Sequence, residues 1–154
     1  MRYVLTMLLA FGAEFAARYV AAYFGLAFDD NPGVAFGLLG GSPAFATALS
    51  GCAFAVLFFL VFFRDDMNAL SRLSLSIMAG GAAANFASRV ISGAVPDWIP
   101  LPLSKNLFPP KGLFFNLADV EIALGAAAAF YACSVSRLKG GREPVEPDTE
   151  QSNT

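Results

Sequence analysis

Two aspartates, Asp97 and Asp119, are the residues of this chain best suited to acid–base chemistry. The chain contains no histidine, so it lacks the commonest general base and the commonest zinc ligand. Hydrolysis would therefore depend on carboxylates, hydroxyls or the thiols of Cys52 and Cys133. Both cysteines lie inside apolar runs and no metal-ligand spacing is present, which predicts buried apolar side chains and no metal site.

Two carboxylates that lie close together in a poorly hydrated site share one proton, because both cannot remain ionised. The ionised member can take a proton from water, while the protonated member can donate to a peptide carbonyl oxygen. This is the arrangement of aspartic proteases. Each aspartate also has a plain structural interpretation, with Asp119 as a helix N-cap and Asp97 as a solvated loop charge.

Four apolar segments are predicted to position these residues. They cover about 3–24, 43–63, 70–91 and 114–135. Each is close to the ~20 residues that a helix needs to cross the hydrocarbon core of a bilayer. The composition agrees, since 56% of the residues are hydrophobic and only 14% are charged. The sequence therefore predicts an all-α membrane protein with four transmembrane helices.

Lysine and arginine are distributed unevenly among the predicted loops and termini. One side carries Arg2, Arg64, Arg72, Arg137, Lys139 and Arg142. The other side carries only Lys105 and Lys111. Because cytoplasmic loops are enriched in these residues, both termini are predicted to be cytoplasmic. The loops 25–42 and 92–113 are then predicted to face outward.

The remaining composition argues against other classes of protein. The formal net charge of −2 gives no case for nucleic-acid binding. Segment 139–154 is polar and acidic and is predicted to be a disordered cytoplasmic tail, which leaves one membrane domain over 1–138. No internal repeat supports a transporter or channel subunit. A serine peptidase is a weak alternative, because no His or Lys lies in a span to activate Ser88 or Ser92.

Ionisable residues inside membrane spans are costly and usually functional. Glu14 and Arg18 are four residues apart in the first span and share a helix face, as do Asn85 and Arg89 in the third. The predicted topology brings further polar residues to the same outer end: Asn31, Gly33, Asp97, Asn116 and Asp119. An ion pair with a purely structural role remains the alternative for Glu14 and Arg18.

Four segments resemble, in order, the motifs of the lipoprotein signal peptidase (signal peptidase II) family. Residues 31–37, Asn-Pro-Gly-Val-Ala-Phe-Gly, resemble its Asn-x-Gly-x-Ala-Phe motif. Residues 80–89 resemble its Gly-Gly-x-x-x-Asn-x-x-Asp-Arg block. Residues 93–99 are similar to its Gly-x-Val-x-Asp-Phe-Ile, and residues 115–119 match its Phe-Asn-x-Ala-Asp. The resemblance covers nearly the whole chain before the tail.

The resemblance implies an aspartyl endopeptidase that removes signal peptides from bacterial prolipoproteins. Cleavage would occur on the N-terminal side of a diacylglyceryl-modified cysteine. The implied catalytic pair is Asp97 and Asp119, with no metal and no cofactor, and which of them is acid and which is base stays open. The residues implied to position the substrate and support the pair are Asn31, Gly33, Asn85, Arg89, Asn116, Glu14 and Arg18.

The family fold implies a small extracytoplasmic β-cradle and a short helix built from the two outer loops. The implied location is the bacterial inner membrane, with a multi-pass chain whose active site lies at the extracytoplasmic face. The implied partners are diacylglyceryl-modified prolipoproteins and membrane lipid, and a monomer is expected.

Three features depart from the family pattern. Ser88 stands where the family has Asp, Glu14 and Arg18 replace an Asp and a Lys, and Pro96 replaces a β-branched residue. We hypothesise that Glu14 takes over as the carboxylate partner of Arg89. The departures also leave open a second interpretation, a pseudopeptidase that binds lipidated peptides without turning them over.

Overall fold

The computed structural model describes residues 1–33, 42–102 and 112–140, with only the backbone described for 137–140. The long helices in these parts of the chain are α1 (Arg2–Tyr23), α2 (Pro43–Phe63), α3 (Ala69–Ser92) and α4 (Leu117–Gly140). The short strands are β1 (Asp29–Asn31), β2 (Val95–Asp97), β3 (Ile99–Pro100) and β4 (Phe114–Phe115). The fold is therefore mostly helical, as predicted.

The first three helices agree with the predicted spans to within one residue at each end. α4 instead begins at Leu117, because Phe114 and Phe115 form a strand and Asn116 caps the helix by accepting from the backbone N–H of Asp119 at 3.0 Å. At its other end α4 continues to Gly140, so the first residues of the predicted tail are helical. Residues 141–154 of that tail lie outside the described part of the chain.

α1, α2 and the segment Leu117–Ser136 of α4 are long and apolar enough to cross a membrane. α3 has 24 residues, which is also long enough, but it is rich in serine, glycine and other small or polar residues. It packs against each of the other three helices. Much of its surface therefore faces the other helices, which accounts for its lower apolar content.

Glycines on α3 and α4 allow the helices to approach closely. A Cβ added at Gly80 would lie 2.5 Å from the carbonyl oxygen of Met7 in α1. One added at Gly81 would lie 2.7 Å from the carbonyl oxygen of Ala118 in α4. Real Cβ atoms essentially never come this close to backbone atoms. The two adjacent glycines therefore let α1 and α4 both pack directly on the backbone of α3.

Two small antiparallel sheets bring the aspartate of β2 to the start of α4. β1 pairs with β2, with Asp29 opposite Asp97. β3 pairs with β4, with Ile99 opposite Phe115. Since Asp97 ends β2 and Asn116 directly follows β4, the second sheet places these two residues side by side. The sheets supply strands of the kind implied for the β-cradle.

Two further predictions concern the cysteines and the outer loops. Cys52 and Cys133 were predicted to be buried, but both are exposed on the helix surfaces. In an apolar span, an exposed side chain of this kind can contact lipid, so their apolar surroundings did not require burial within the protein. The short helix predicted for the outer loops is absent from the described residues, and 34–41 and 103–111 of these loops lie outside them.

Candidate active site

Asp97 and Asp119 are joined through one residue, Asn116. The side-chain Nδ2 of Asn116 donates to Oδ1 of Asp97 at 2.7 Å. The backbone N–H of Asn116 donates to Oδ2 of Asp119 at 3.3 Å. Both carboxylates line the same cavity, which has a volume of about 440 Å³. The structure thus brings together the two acids that the sequence singled out.

Asp119 is also part of the N-terminal cap of α4. Its Oδ2 accepts from the backbone of Asn116, whose Oδ1 accepts in return from the backbone N–H of Asp119 at 3.0 Å. This reciprocal pair is a capping box. The other oxygen, Oδ1, accepts from Nδ2 of Asn85 at 2.9 Å. The N-cap is therefore Asn116 and not, as predicted, Asp119, because the helix begins at Leu117. Asp119 completes the capping box from the third helical position, and its carboxylate also lines the cavity.

Side-chain amides connect the two carboxylates in one hydrogen-bond network. Nδ2 of Asn31 donates to Oδ2 of Asp97 at 3.1 Å, while Oδ1 of Asn31 accepts from the backbone N–H of Gly33 at 3.0 Å. Nδ2 of Asn116 also donates to Oδ1 of Asn85 at 3.2 Å. Because each amide is held by a second hydrogen bond, the donors that face the carboxylates have fixed orientations.

Arg89 lies beside this network at the end of α3 and lines the same cavity. Its guanidinium donates to the carbonyl oxygen of Gly33 and, at 3.4 Å, to that of Asn85. Its buried Nε has no hydrogen-bond partner among the described residues. The interaction with Gly33 connects α3 to the residues directly after β1, so Arg89 holds Gly33 in place and adds positive charge to the site.

The environment of Asp97 favours the protonated form. Burial raises the pKa of the Asp97 carboxyl to about 6. Hydrogen bonds from Asn31 and Asn116 and the charge of Arg89 lower this pKa, whereas the nearby Asp119 raises it further. The side chain is only 2% exposed, so solvent does little to stabilise the charged form. Asp97 can therefore hold a proton within reach of neutral pH.

The rest of the cavity wall is apolar and was not singled out from the sequence. Its members are Val95, Leu101, Leu113, Phe114, Phe115, Val120, Ile122 and Ala123. An apolar wall limits the access of water and strengthens the electrostatic interactions of the polar groups inside. Their position in the sequence was the one feature that could have indicated these residues, since they flank the polar residues in and around β2, β4 and α4.

Glu14 and Arg18 do not line this cavity. They form the predicted intrahelical ion pair, with Nη2 of Arg18 2.8 Å from Oε1 of Glu14. Arg18 also donates to Oγ of Ser88 at 3.1 Å, and Oε2 of Glu14 accepts from the backbone N–H of Ala118 at 3.1 Å. The hypothesis that Glu14 replaces the carboxylate partner of Arg89 is therefore wrong, because both of its oxygens are bonded elsewhere.

Two solved structures have the same fold. Both are described as bacterial membrane enzymes. One matches with a TM-score of 0.75 and 21% identity, covering 94% of this chain and 94% of the other. The second matches with a TM-score of 0.68 and 22% identity, covering 86% and 92% of the two chains. At these identities the match supports the fold alone.

Sequence relatives identify the family. The family model described as signal peptidase (SPase) II, peptidase family A8, matches residues 3–135. The lipoprotein signal peptidase of Burkholderia multivorans is 34% identical over 137 residues, which cover 86% of this chain and 77% of the relative. That of Symbiobacterium thermophilum is 27% identical over 121 residues, covering 79% and 77%. With the motifs, the paired carboxylates and the fold in agreement, the chain belongs to the signal peptidase II family of membrane proteases.

Proposed function

We propose that this chain is an intramembrane aspartyl endopeptidase that removes signal peptides from diacylglyceryl-modified bacterial prolipoproteins. Cleavage occurs on the N-terminal side of the lipidated cysteine. The observation that carries this proposal is that Asn116 donates hydrogen bonds to both Asp97 and Asp119. Both carboxylates line one largely apolar cavity. The substrate class is supported by family membership and by relatives that are named lipoprotein signal peptidases.

In the proposed mechanism the two aspartates hold one proton between them. The ionised carboxylate takes a proton from a water molecule, and the water oxygen forms a bond to the scissile carbonyl carbon. The protonated carboxyl donates its proton to the carbonyl oxygen, which gives a neutral tetrahedral intermediate. When the C–N bond breaks, the carboxyl that took the proton from water gives it to the departing amine of the cysteine. One hydroxyl of the intermediate returns a proton to the other carboxylate as the new carboxyl group forms, so the dyad again holds a single proton. The elevated pKa of Asp97 suits it to take part in this sharing.

The substrate backbone needs donors that hold it beside the dyad. Arg89 lines the cavity and its Nε has no hydrogen-bond partner among the described residues. We propose that it donates to a backbone carbonyl of the bound peptide. Asn31, Asn85 and Asn116 support the dyad directly, because their amides donate to its carboxylate oxygens.

The proposed topology has four membrane-spanning helices over the domain 1–138, with both termini in the cytoplasm. α3 is the fourth span, since it is as long as the others and packs among them. The cavity lies where α3 ends and α4 begins, whereas Arg72 lies near the opposite end of α3 and Arg64 lies in the connection between α2 and α3. The dyad then lies at the extracytoplasmic face of the inner membrane, where the acyl chains of the substrate stay in lipid. A monomer supplies every residue of this site.

The test is a cleavage assay with purified protein in detergent or proteoliposomes. One substrate is a diacylglyceryl-modified prolipoprotein, and its matched control is the same precursor without the lipid. Mass spectrometry of the products should show cleavage of the modified precursor alone, with a product that begins at the lipidated cysteine. Equal cleavage of the unmodified precursor, or cleavage at another bond, would contradict the proposal.

The pseudopeptidase interpretation makes a different prediction in the same assay. It predicts that the lipidated precursor binds but is not cleaved. The departures at Ser88 and Glu14 were its motivation. Both residues have defined partners in the structure, since Arg18 bonds to each of them. The departures therefore leave Glu14, Arg18 and Ser88 hydrogen-bonded to one another, which favours the active enzyme.

A further inference from the structure

The first turn of α4 determines where Asp119 stands, and this turn is held from a neighbouring helix. The backbone N–H of Ala118, immediately before Asp119, donates to Oε2 of Glu14 in α1 at 3.1 Å. The first N–H groups of a helix have no partners within the helix, so an external acceptor fixes the position of the turn. A carboxylate also suits this place because the helix dipole is positive there.

Glu14 is itself held tightly. It is completely buried, and its Oε1 accepts from both Nε and Nη2 of Arg18, at 3.2 and 2.8 Å. Arg18 reaches across to α3, where it donates to Oγ of Ser88 at 3.1 Å. Ser88 in turn donates to the carbonyl oxygen of Ala84, at 3.0 Å. A chain of hydrogen bonds therefore runs from α3 through α1 to the first turn of α4.

We propose that Glu14 is a positioning residue for Asp119. Glu14 fixes the first turn of α4 through Ala118, and Arg18 fixes Glu14. This inference rests on the proposed function, since it takes Asp119 to be catalytic. It gives Glu14 a role other than the substrate contact implied by the resemblance, because Glu14 does not line the cavity of the dyad.

The same inference explains the serine at position 88. A hydroxyl at this position anchors Arg18 by a hydrogen bond without offering the guanidinium a second negative charge. Glu14 is therefore the carboxylate to which Arg18 is paired among the described residues. The changes at Glu14, Arg18 and Ser88 are then parts of one arrangement that holds the longer acid against α4.

A positioning residue should affect the rate of the chemical step more than substrate binding. Loss of the Glu14 carboxylate lets the first turn of α4 shift, and a misplacement of about 1 Å can cost about 100-fold in rate. We expect Glu14→Ala to lower kcat by about 10- to 100-fold, with KM within about 2-fold of the wild-type value. Glu14→Gln keeps an acceptor for Ala118 and should recover most of that loss.

The experiment measures kcat and KM for cleavage of the diacylglyceryl-modified prolipoprotein. The matched control is Asp30→Asn, which alters an exposed acid on β1 that does not line the cavity. It should leave kcat and KM unchanged. Ser88→Ala removes the hydrogen bond that the charged guanidinium of Arg18 donates to Ser88, while the ion pair with Glu14 stays. It should therefore lower kcat by about 3-fold, less than the full value of a hydrogen bond to a charged group. This variant carries the test if Glu14→Ala does not fold.

The outcomes separate this proposal from the proposed function. Wild-type kcat in Glu14→Ala would overturn the positioning role, and so would wild-type kcat in Ser88→Ala if Glu14→Ala does not fold. So would a loss that appears in KM as strongly as in kcat. Asp119→Asn, measured in parallel, tests the dyad itself. If Asp119→Asn is inactive while Glu14→Ala cleaves at the full rate, only the positioning role fails.

Discussion

Single residues in this site take part both in helix capping and in the proposed chemistry. Asp119 caps α4 with one oxygen and faces the amide of Asn85 with the other. Asn116 completes the cap with its carbonyl oxygen and holds Asp97 with its amide nitrogen. The two demands can be separated, because they use different atoms of the same side chains.

Substitutions of Asn116 can separate the effect on stability from the effect on cleavage. Asn116→Ala removes the donor to Asp97 and the acceptor for the backbone of Asp119, and we expect it to lower the free energy of unfolding by about 1–3 kcal/mol. Asn116→Ser restores an acceptor at the N-cap and should recover about 1 kcal/mol of this loss. Neither variant should cleave the substrate, because neither alanine nor serine replaces the side-chain amide that donates to Asp97. Denaturant unfolding and the cleavage assay measure the two effects, and an active serine variant would show that the amide is dispensable.

Asp97 should make stability depend on pH. Its pKa is raised to about 6 by burial, above the ordinary value of 3.8, so the folded protein binds this proton more tightly than the unfolded chain. The resulting stabilisation is complete below about pH 4 and is lost as the pH rises through about 6, a change of about 3 kcal/mol. Asp97→Asn removes this dependence. The unfolding temperature of the variant, relative to that of the wild type, should therefore rise between pH 4 and pH 8.

A constant difference between Asp97→Asn and the wild type across that range would contradict this assignment. Asp30→Asn is the matched control. Asp30 lies next to Asn31 on β1, opposite Pro96, but its side chain is exposed and does not line the cavity. Its substitution should leave the pH dependence of the wild type unchanged.

At the scale of elements, the glycines of α3 are expected to control helix packing. Gly81→Ala would place a methyl group against the backbone of Ala118, and Gly80→Ala would place one against Met7. We expect each to destabilise the protein by about 1–3 kcal/mol, as is usual for overpacking. Gly81→Ala should also lower activity, because it pushes on the turn that carries Asp119.

Gly12→Ala in α1 is the control for these substitutions. A Cβ at Gly12 meets no atom within 4 Å, so the change should be neutral or should stabilise the helix. Thermal unfolding in one detergent compares the three variants. Equal stability of Gly12→Ala and Gly81→Ala would show that α3 and α4 are not in the close contact described.

The helices could be predicted from the sequence more completely than the strands. A run of about 20 consecutive apolar residues predicts a membrane helix. The bounds predicted for α2 in this way agree with the observed ones. β3 and β4 have two residues each, too few to show an alternating pattern. Phe114 and Phe115 are as apolar as the helix that follows them, so the predicted span began at 114 and included strand β4.

The site was predictable to the extent that it depends on motifs. Asp97, Asp119 and the three asparagines were named from residue type and predicted depth, and the structure brings them together. The contact of Glu14 with Ala118 was not predicted, because it depends on how closely α1 and α4 pack. The apolar cavity wall was not predicted either, since apolar residues are common throughout this chain.

At the scale of the whole molecule, the proposed orientation can be tested by labelling. In a background with Cys52 and Cys133 replaced by Ser, a cysteine is introduced at Asp30 or at Asp65, both of which are exposed. In intact sphaeroplasts a membrane-impermeant maleimide should label position 30. It should label position 65 only after permeabilisation, because the arginine-rich loops stay in the cytoplasm. The reverse labelling pattern would show the opposite topology, with the site at the cytoplasmic face of the membrane.

The role of Asp97 and Asp119 as a catalytic pair can be measured by the turnover of a diacylglyceryl-modified prolipoprotein by single Asp→Asn variants. Asp97→Asn and Asp119→Asn should each lower kcat by at least about 1,000-fold, since each removes a group that transfers a proton. Both should still bind the substrate, and Asp30→Asn should cleave it at the wild-type rate. Cleavage at the wild-type rate by either Asp97→Asn or Asp119→Asn would contradict the account.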